Sequence, residues 1–405
     1  MIYSADDEWA CNVKLNTALL ELRRHGGGPV HINIETAFSG DFSVQELPKF
    51  RVIQRISANS QFPELNPGKI GIFVGAHQKF DERLTCAVDS FCRAYDAVVF
   101  CDHCSGYKGE YRAFASLVTT QKGADLSVRR VDTLIHIGEV AIGKMWLKPD
   151  RVWRVSSDGE IQDPYRKMEY IFQMEETDFF ECYANIPKTS LPEGGEHQIQ
   201  LWKKRYSEME SRIPEMPFSN LWIAQHTAAL LPEGAVLHLG VLNSARSWNL
   251  FDVPATVDTC VNTGGYGIDG CVSALLGASL AAPDRLHFGV VGDLAFFYDM
   301  NALGNRHVSR NLRLMIINNG CGAEFRLYGH PYMKHGFADT VGPYMSAAGH
   351  FGEQSRQLVR HFAEDLGYEY IYADSKEIYL ANQAHGHLPE CRKLPFFQRR
   401  VACEM

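Results

Sequence analysis

An α/β fold built on parallel sheets is what this 405-residue chain predicts, and three observations carry the prediction. Two apolar runs, 286–291 and 312–317, each end in polar residues and enclose about twenty helix-compatible residues, the length of a parallel βαβ connection. Between Gly68 and Gly159, short apolar runs alternate with helical patterns, which again suits strands covered by helices. Hydrophobic residues at 45% and charged residues at 22% suit a globular enzyme, and the length is enough for two or three domains, each with its own core.

Taken in order, residues 9–25 read as an amphipathic helix, and the glycines at 26–28 as a turn into a buried strand at 29–34. One helix and one strand cannot bury themselves alone, so residues 1–44 form a first unit that needs company. Residues 45–195 form a central α/β domain, with strands at 70–74, 97–100, 133–137 and 152–155 and a helix at 81–95. Gly75-Ala76-His77, after the first of these strands, is most simply a turn and not an anion site. The Pro-, Gly- and Glu-containing stretch 187–195 reads as a linker, and 197–211 as a polar helix leading into a last domain, 196–405. That domain holds strands at 235–240, 286–291 and 312–317. Its end, 394–405, is broken by Pro395, Arg399 and Arg400 and does not read as a strand. No internal repeat or low-complexity segment interrupts the chain.

A net charge of −8 without any basic run argues against a nucleic-acid surface. The acidic amino terminus has no apolar core, so no signal peptide is expected. No apolar stretch approaches the ~18 residues of a membrane span, and a cytoplasmic location is expected. Eleven scattered cysteines suit reduced thiols. Cys101-Asp102-His103-Cys104 has the C-x-x-C spacing of metal and redox sites, but no second pair completes a four-ligand zinc site; a strand-to-loop turn is the favoured reading.

The chemistry concentrates in Val291-Gly292-Asp293-Leu294 and Asn318-Asn319. Ligands of open α/β sheets bind outside the carboxyl ends of the strands, where Asp293 and Asn319 emerge together. One carboxylate, one amide oxygen and a backbone carbonyl are hard donors that suit Mg2+ and leave room for phosphate oxygens. Gly265, Gly267 and Gly270 also satisfy the dinucleotide pattern G-x-G-x-x-G, which would make the chain a nicotinamide oxidoreductase. That alternative needs a buried strand before the glycines, and 257–263 is a poor one. It also leaves the Asn pair without a task, for which the plainest reading is a loop cap.

The paired Gly292-Asp293 and Asn318-Asn319 resemble the thiamine diphosphate-binding signature. Asn262-Thr263-Gly264-Gly265-Tyr266-Gly267-Ile268-Asp269-Gly270 and Asp299-Met300-Asn301-Ala302-Leu303 are similar to segments of the menaquinone-pathway carboligases, the 2-succinyl-5-enolpyruvyl-6-hydroxy-3-cyclohexene-1-carboxylate synthases. The resemblance implies a central domain followed by a diphosphate-binding domain, with 1–44 as the tail of a pyrimidine-binding domain. It implies thiamine diphosphate and Mg2+ as cofactors, with Asp293, Asn319 and the Cys321 carbonyl on the metal. Asn243, Ser244, Gly267, Gly292, Leu294, Ala295 and Gly322 would line the cofactor, and Ile268 would be the wedge that bends it. Glu324, Phe325 and Arg326 would lie near substrate, although a surface salt bridge is the more frequent fate of such a Glu/Arg neighbourhood; His330, His335 and His350 are candidate proton carriers, each favoured as structural. The family's substrate-binding arginines are not reproduced, because their places hold Trp248 and Thr263 while Arg246 is out of register. A divergent 2-oxo acid decarboxylase or carboligase is therefore expected in preference to the menaquinone reaction itself. No residue matches the glutamate that serves the aminopyrimidine in the family. The expectation is a homodimer or tetramer, or a partner chain carrying a pyrimidine-binding domain, with a non-catalytic cofactor-binding remnant as the alternative.

Overall fold

The computed structural model describes residues 4–35, 40, 43, 45–46, 49–121, 126–139, 142, 146–186, 197–264, 267–326, 330–335, 357–384 and 395–398. Its first helix, α1 (Ala5–Glu21), is capped by Ser4, whose hydroxyl accepts from the Asp7 amide. The helix docks on the segment entering the first strand, where Asn16 accepts from Ile53 N at 2.8 Å and Asn12 donates to the Arg51 carbonyl at 2.9 Å. The strand expected at 29–34 is not formed. Those residues run as irregular chain, and Ile34 is 71% exposed, because no neighbouring strand among the described residues offers a ladder.

The central domain contains β1 (Gln54–Ser57), β2 (Ile70–Val74), α2 (Glu82–Tyr95), β3 (Val98–Cys101), β4 (Arg112–Phe114), α3 (Ser116–Thr120), β5 (Arg130–Ile137), β6 (Lys148–Val155), β7 (Met168–Gln173) and α4 (Glu176–Ala184). Its strands form one parallel sheet in the order β1-β7-β6-β5-β2-β3-β4. Alternation along each strand divides the core between two faces. Ile72, Val74, Ile135, Ile137, Trp153 and Phe172 meet α2 and α4, while Phe73, Phe100, Leu134 and Val152 meet α5 (Gln198–Glu210) through Ile199 and Trp202. Helix α2 starts where Asp81 accepts from the Leu84 amide and ends at Asp96 in the left-handed region, and it buries Leu84, Ala87, Val88 and Phe91. The turn reading of Gly75-Ala76-His77 agrees with the structure. Gly75 N–H donates to the Ile137 carbonyl and Glu139 N–H to the Ala76 carbonyl, and a Cβ on Gly75 would lie 2.0 Å from the Glu139 oxygen. The crevice between β2 and β5 is thereby closed by backbone.

The last domain contains α6 (Asn220–Thr227), β8 (Val236–Leu239), α7 (Asn243–Trp248), β9 (Asp258–Val261), α8 (Cys271–Ala281), β10 (His287–Gly292), α9 (Asp293–Asp299), β11 (Leu312–Ile317), α10 (Pro331–Lys334), α11 (Leu358–Asp365), β12 (Glu369–Tyr372), α12 (Lys376–Ala384) and β13 (Pro395–Gln398). A second parallel sheet runs β12-β13-β11-β10-β8-β9. Leu237, Leu239, Phe288, Val290 and Met315 pack under α6 and α7, and Val291, Leu314 and Ile316 under α8, α9 and α11. The segment before the glycines agrees with its reading as a poor buried strand: it forms β9, an edge strand whose residues stay partly exposed. One expectation is corrected here. The end of the chain also supplies a strand: β13 lies between β11 and β12, with Pro395 as its first residue, a position where a missing N–H is tolerated. The linker at 187–195 lies outside the described residues.

Candidate cofactor and metal site

β10 and β11 pair in parallel with Gly292 level with Ile317, so Asp293 and Asn318 leave the sheet on the same rung. Chain order reverses between β8 and β10, which makes their carboxyl ends the switch point where such sheets bind ligands. Asp293 is 3% exposed and begins α9. Its Oδ1 accepts from the Leu294 amide at 2.8 Å and its Oδ2 from the Gly320 amide at 2.6 Å. Gly320 has φ +73°, a left-handed turn that a residue with a Cβ adopts only under strain, and this folds the loop back onto the carboxylate. Asn319 Oδ1 accepts from the Cys321 amide at 3.3 Å. Asp293, Asn319 and Cys321 are thus wrapped into one loop cluster, with Gly322 next to it.

Burial pushes the Asp293 carboxyl up to about 6, against the lowering effect of its backbone donors. Among the described residues no basic side chain pairs with it. A buried carboxylate held by amides and lacking a counter-charge, with an amide oxygen beside it, is a hard-oxygen donor set that fits Mg2+. The sulfur of Cys321 has no place in such a set. In this conformation the Leu294 N–H is spent on Asp293 itself, so that amide reaches a phosphate only if the carboxylate turns toward a metal.

Opposite lies the β8 end. Leu242 has φ +69°, a conformation that costs a branched side chain of order 1–3 kcal/mol, and it sets the start of α7 at Asn243. Ser244 is buried, and Asn243 accepts from Asn220 through its backbone carbonyl. Gly267 and Ile268 precede α8. Ile268 is half-buried against the core under that helix, and Asn262 Nδ2 holds the turn by donating to the Asp269 carbonyl at 3.2 Å. Gly265 lies outside the described residues. The glycine segment follows the edge strand β9 and not the strands at the switch point, where a dinucleotide fingerprint would place its pyrophosphate.

Several residues gain a role the sequence did not reveal. Arg246, in α7, forms an ion pair with Glu324 in the turn after Cys321, joining the two loops that flank the crevice. Trp248, at a place where the resemblance suggests a substrate contact, is fully buried against Phe288 and belongs to the core. Asp299, in the segment shared with the carboligases, accepts from Ser273 N at 2.6 Å and so caps the first turn of α8. Of the candidate proton carriers, His330 is half-buried with its ring against Phe325, His335 is exposed, and His350 lies outside the described residues, as does the side chain of Arg326.

The Cys101–Cys104 turn is structural. Asp102 Oδ1 accepts from Cys104 N, Cys104 Sγ and Ser105 Oγ, and Asp102 Oδ2 from Ile142 N. Burial holds His103 neutral, its pKa pushed down to about 4, and its Nε2 lies 3.0 Å from the carbonyls of both Trp248 and Phe251. His103 therefore clamps the carboxyl end of α7 onto the central domain. The described cysteines are free thiols. No helix among the described residues is long and apolar enough to cross a membrane.

No protein-family profile matches the chain. Curated relatives do. The 2-succinyl-5-enolpyruvyl-6-hydroxy-3-cyclohexene-1-carboxylate synthase of Bacteroides fragilis is 32% identical over 356 residues, covering 80% of this chain and 60% of the relative. That of Bacteroides thetaiotaomicron is 30% identical over 401 residues, covering 93% of this chain and 68% of the relative. The chain thus spans about three fifths to two thirds of the length of these relatives. Among solved structures, the Rhodococcus jostii RHA1 thiamine diphosphate-dependent 4-hydroxybenzoylformate decarboxylase aligns with a TM-score of 0.52 over 83% of this chain and 62% of that one, at 15% identity, a likeness of fold. By sequence the chain belongs to the family of the 2-succinyl-5-enolpyruvyl-6-hydroxy-3-cyclohexene-1-carboxylate synthases, and its fold is like that of a thiamine diphosphate-dependent decarboxylase.

Proposed function

We propose that this chain binds thiamine diphosphate through Mg2+ and serves as the diphosphate-binding part of a carbon–carbon lyase or carboligase acting on a 2-oxo acid. The observation that carries the reading is the Asp293 carboxylate at the switch point, buried and without a counter-charge among the described residues. Asp293 and Asn319 would hold the cation, with the Cys321 carbonyl as a third donor, and the crevice between β8 and β10 would take the diphosphate. When bound, the cofactor supplies the carbanion chemistry needed to break or make a bond beside a 2-oxo group. The protein's own share is positional: Ile268 shapes the cofactor, the Gly320 turn keeps the cation in place, and the Arg246–Glu324 pair flanks the entrance.

The glutamate that serves the aminopyrimidine would come from a pyrimidine-binding domain outside residues 1–405. In support, α1 and its carboxyl cap expose Leu15, Leu19 and Leu22 along one face, and Phe50 and Val52 are exposed where the chain enters β1. Calorimetric titration of thiamine diphosphate tests the proposal. Binding is expected only with Mg2+ present and is expected to be abolished in Asp293→Ala; tight metal-free binding, or unchanged affinity in the variant, would overturn it. Carbon dioxide release from pyruvate and 2-oxoglutarate, measured with the chain alone and with an added pyrimidine domain of a relative, separates a complete enzyme from one that needs a partner.

A further inference from the structure

Between α8 and the β8–β9–β10 side of the second sheet lies a cavity of about 290 Å3. Its floor is one rung of the sheet, Gly289, His238 and Cys260, paired in register. The next rung toward the carboxyl ends, Val291, Gly240 and Asn262, forms its mouth. Gly289 lies four residues before Asp293 on the same strand face, so the floor is roughly 13 Å below the carboxylate at ~3.3 Å per residue. A diphosphate held at Asp293 would not fill it.

The space exists because the facing side chains are short. Ala274 and Ala278 of α8 line the space, Ala274 on its exposed side, and Leu275 packs on Gly289, its Cδ2 2.4 Å from the position a Cβ would take. The volume is about twice that of an engineered cavity of roughly 150 Å3 that binds benzene. The floor is polar but uncharged. Cys260 Sγ lies 2.9 Å from His238 Nδ1, and His238 Nε2 lies 3.0 Å from His287 Nδ1, a string of three neutral groups. Burial pushes His238 down to about 3 and lowers His287 as well, while Cys260, exposed on the edge strand, ends the string at its open side. Val291 and the alanines of α8 add apolar lining. Among the described residues no charged side chain lines it, so an ion finds no counter-charge there, whereas a ring or branched chain with one hydroxyl or amine finds apolar walls and an inner hydrogen-bonding end.

We propose that this cavity is a binding site for a small neutral aromatic or branched apolar group carrying one hydrogen-bonding atom at its inner end, separate from the Asp293 crevice and entered from the same edge of the sheet. The proposal does not depend on the cofactor reading. Fluorine NMR titration of the 405-residue protein with 4-fluorophenol and fluorobenzene tests it. Saturable binding of both is expected, with the phenol several-fold tighter because its hydroxyl meets the floor. Ala278→Phe fills the cavity and is expected to weaken binding at least tenfold with an unchanged or higher Tm; Ala274→Leu fills it from the mouth, should the larger ring prevent folding. Equal binding to a folded filling variant would place the probe elsewhere. Failure of the wild-type protein to bind either probe saturably, or an absent preference for the phenol, would overturn the proposal.

Discussion

Replacing Asp293 with asparagine is expected to stabilise the cofactor-free protein at neutral pH while destroying Mg2+-dependent cofactor binding. The carboxyl's ordinary value is 3.8, and burial raises it to about 6. The sign is the reverse of the usual carboxylate case. Between these values the folded protein holds a proton that the unfolded chain has released, so stability falls as pH rises through the window and the full cost is present above about 6. Each pH unit is worth ~1.4 kcal/mol, so the ionised group costs the empty fold about 3 kcal/mol. Asparagine has nearly the same shape but keeps only one acceptor oxygen, so one of the contacts from Leu294 and Gly320 is lost, at about 1 kcal/mol. The net gain is about 2 kcal/mol, or roughly 4–8 °C in Tm for a domain of this size. Thermal melts of both proteins from pH 4 to 8, without ligand, measure it: the variant should gain on the wild type as pH rises and lose that advantage near pH 4. With Mg2+ and thiamine diphosphate at about 100 times Kd, the wild type alone should gain ~2.7 kcal/mol. A variant that is destabilised equally at every pH would refute the argument that Asp293 is an uncompensated buried charge.

Two further substitutions probe the neighbourhood. Ile268→Ala is expected to reduce turnover of the reconstituted enzyme more than cofactor affinity, because the side chain would shape the cofactor without touching its charge; steady-state kinetics beside calorimetry decide, and equal losses would count against the role. His103→Ala leaves the Trp248 and Phe251 carbonyls without their buried donor and is expected to cost about 1–3 kcal/mol, seen as a lower midpoint in urea, whereas an unchanged midpoint would show that the clamp on α7 is dispensable.

How much was legible in the sequence follows from how far apart the interacting residues are. β10, β11, Asp293 and Asn319 belong to one βαβ unit, where the apolar runs and their polar ends are local patterns, and the structure brings them together as expected. Strand β9 read as a poor buried strand because an edge strand keeps exposed residues, and the structure agrees. β13 was missed because Pro395 argues against a strand interior, and only the register places it at a strand start, between two waiting neighbours. The opposite error occurred at 29–34, where apolar residues after a glycine turn suggested a strand, though a strand exists only if another pairs with it. Arg246 and Glu324 are 78 residues apart, and His103 and Trp248 are 145 apart, so no spacing rule connects them. The cavity floor depends on the same kind of information. Gly289, His238 and Cys260 come from three strands and share a rung only because the sheet order places β8 between β9 and β10. Pattern therefore locates Asp293 and Asn319, which are tied by one connection, while the residues that shape the space around them are chosen by strand order and register.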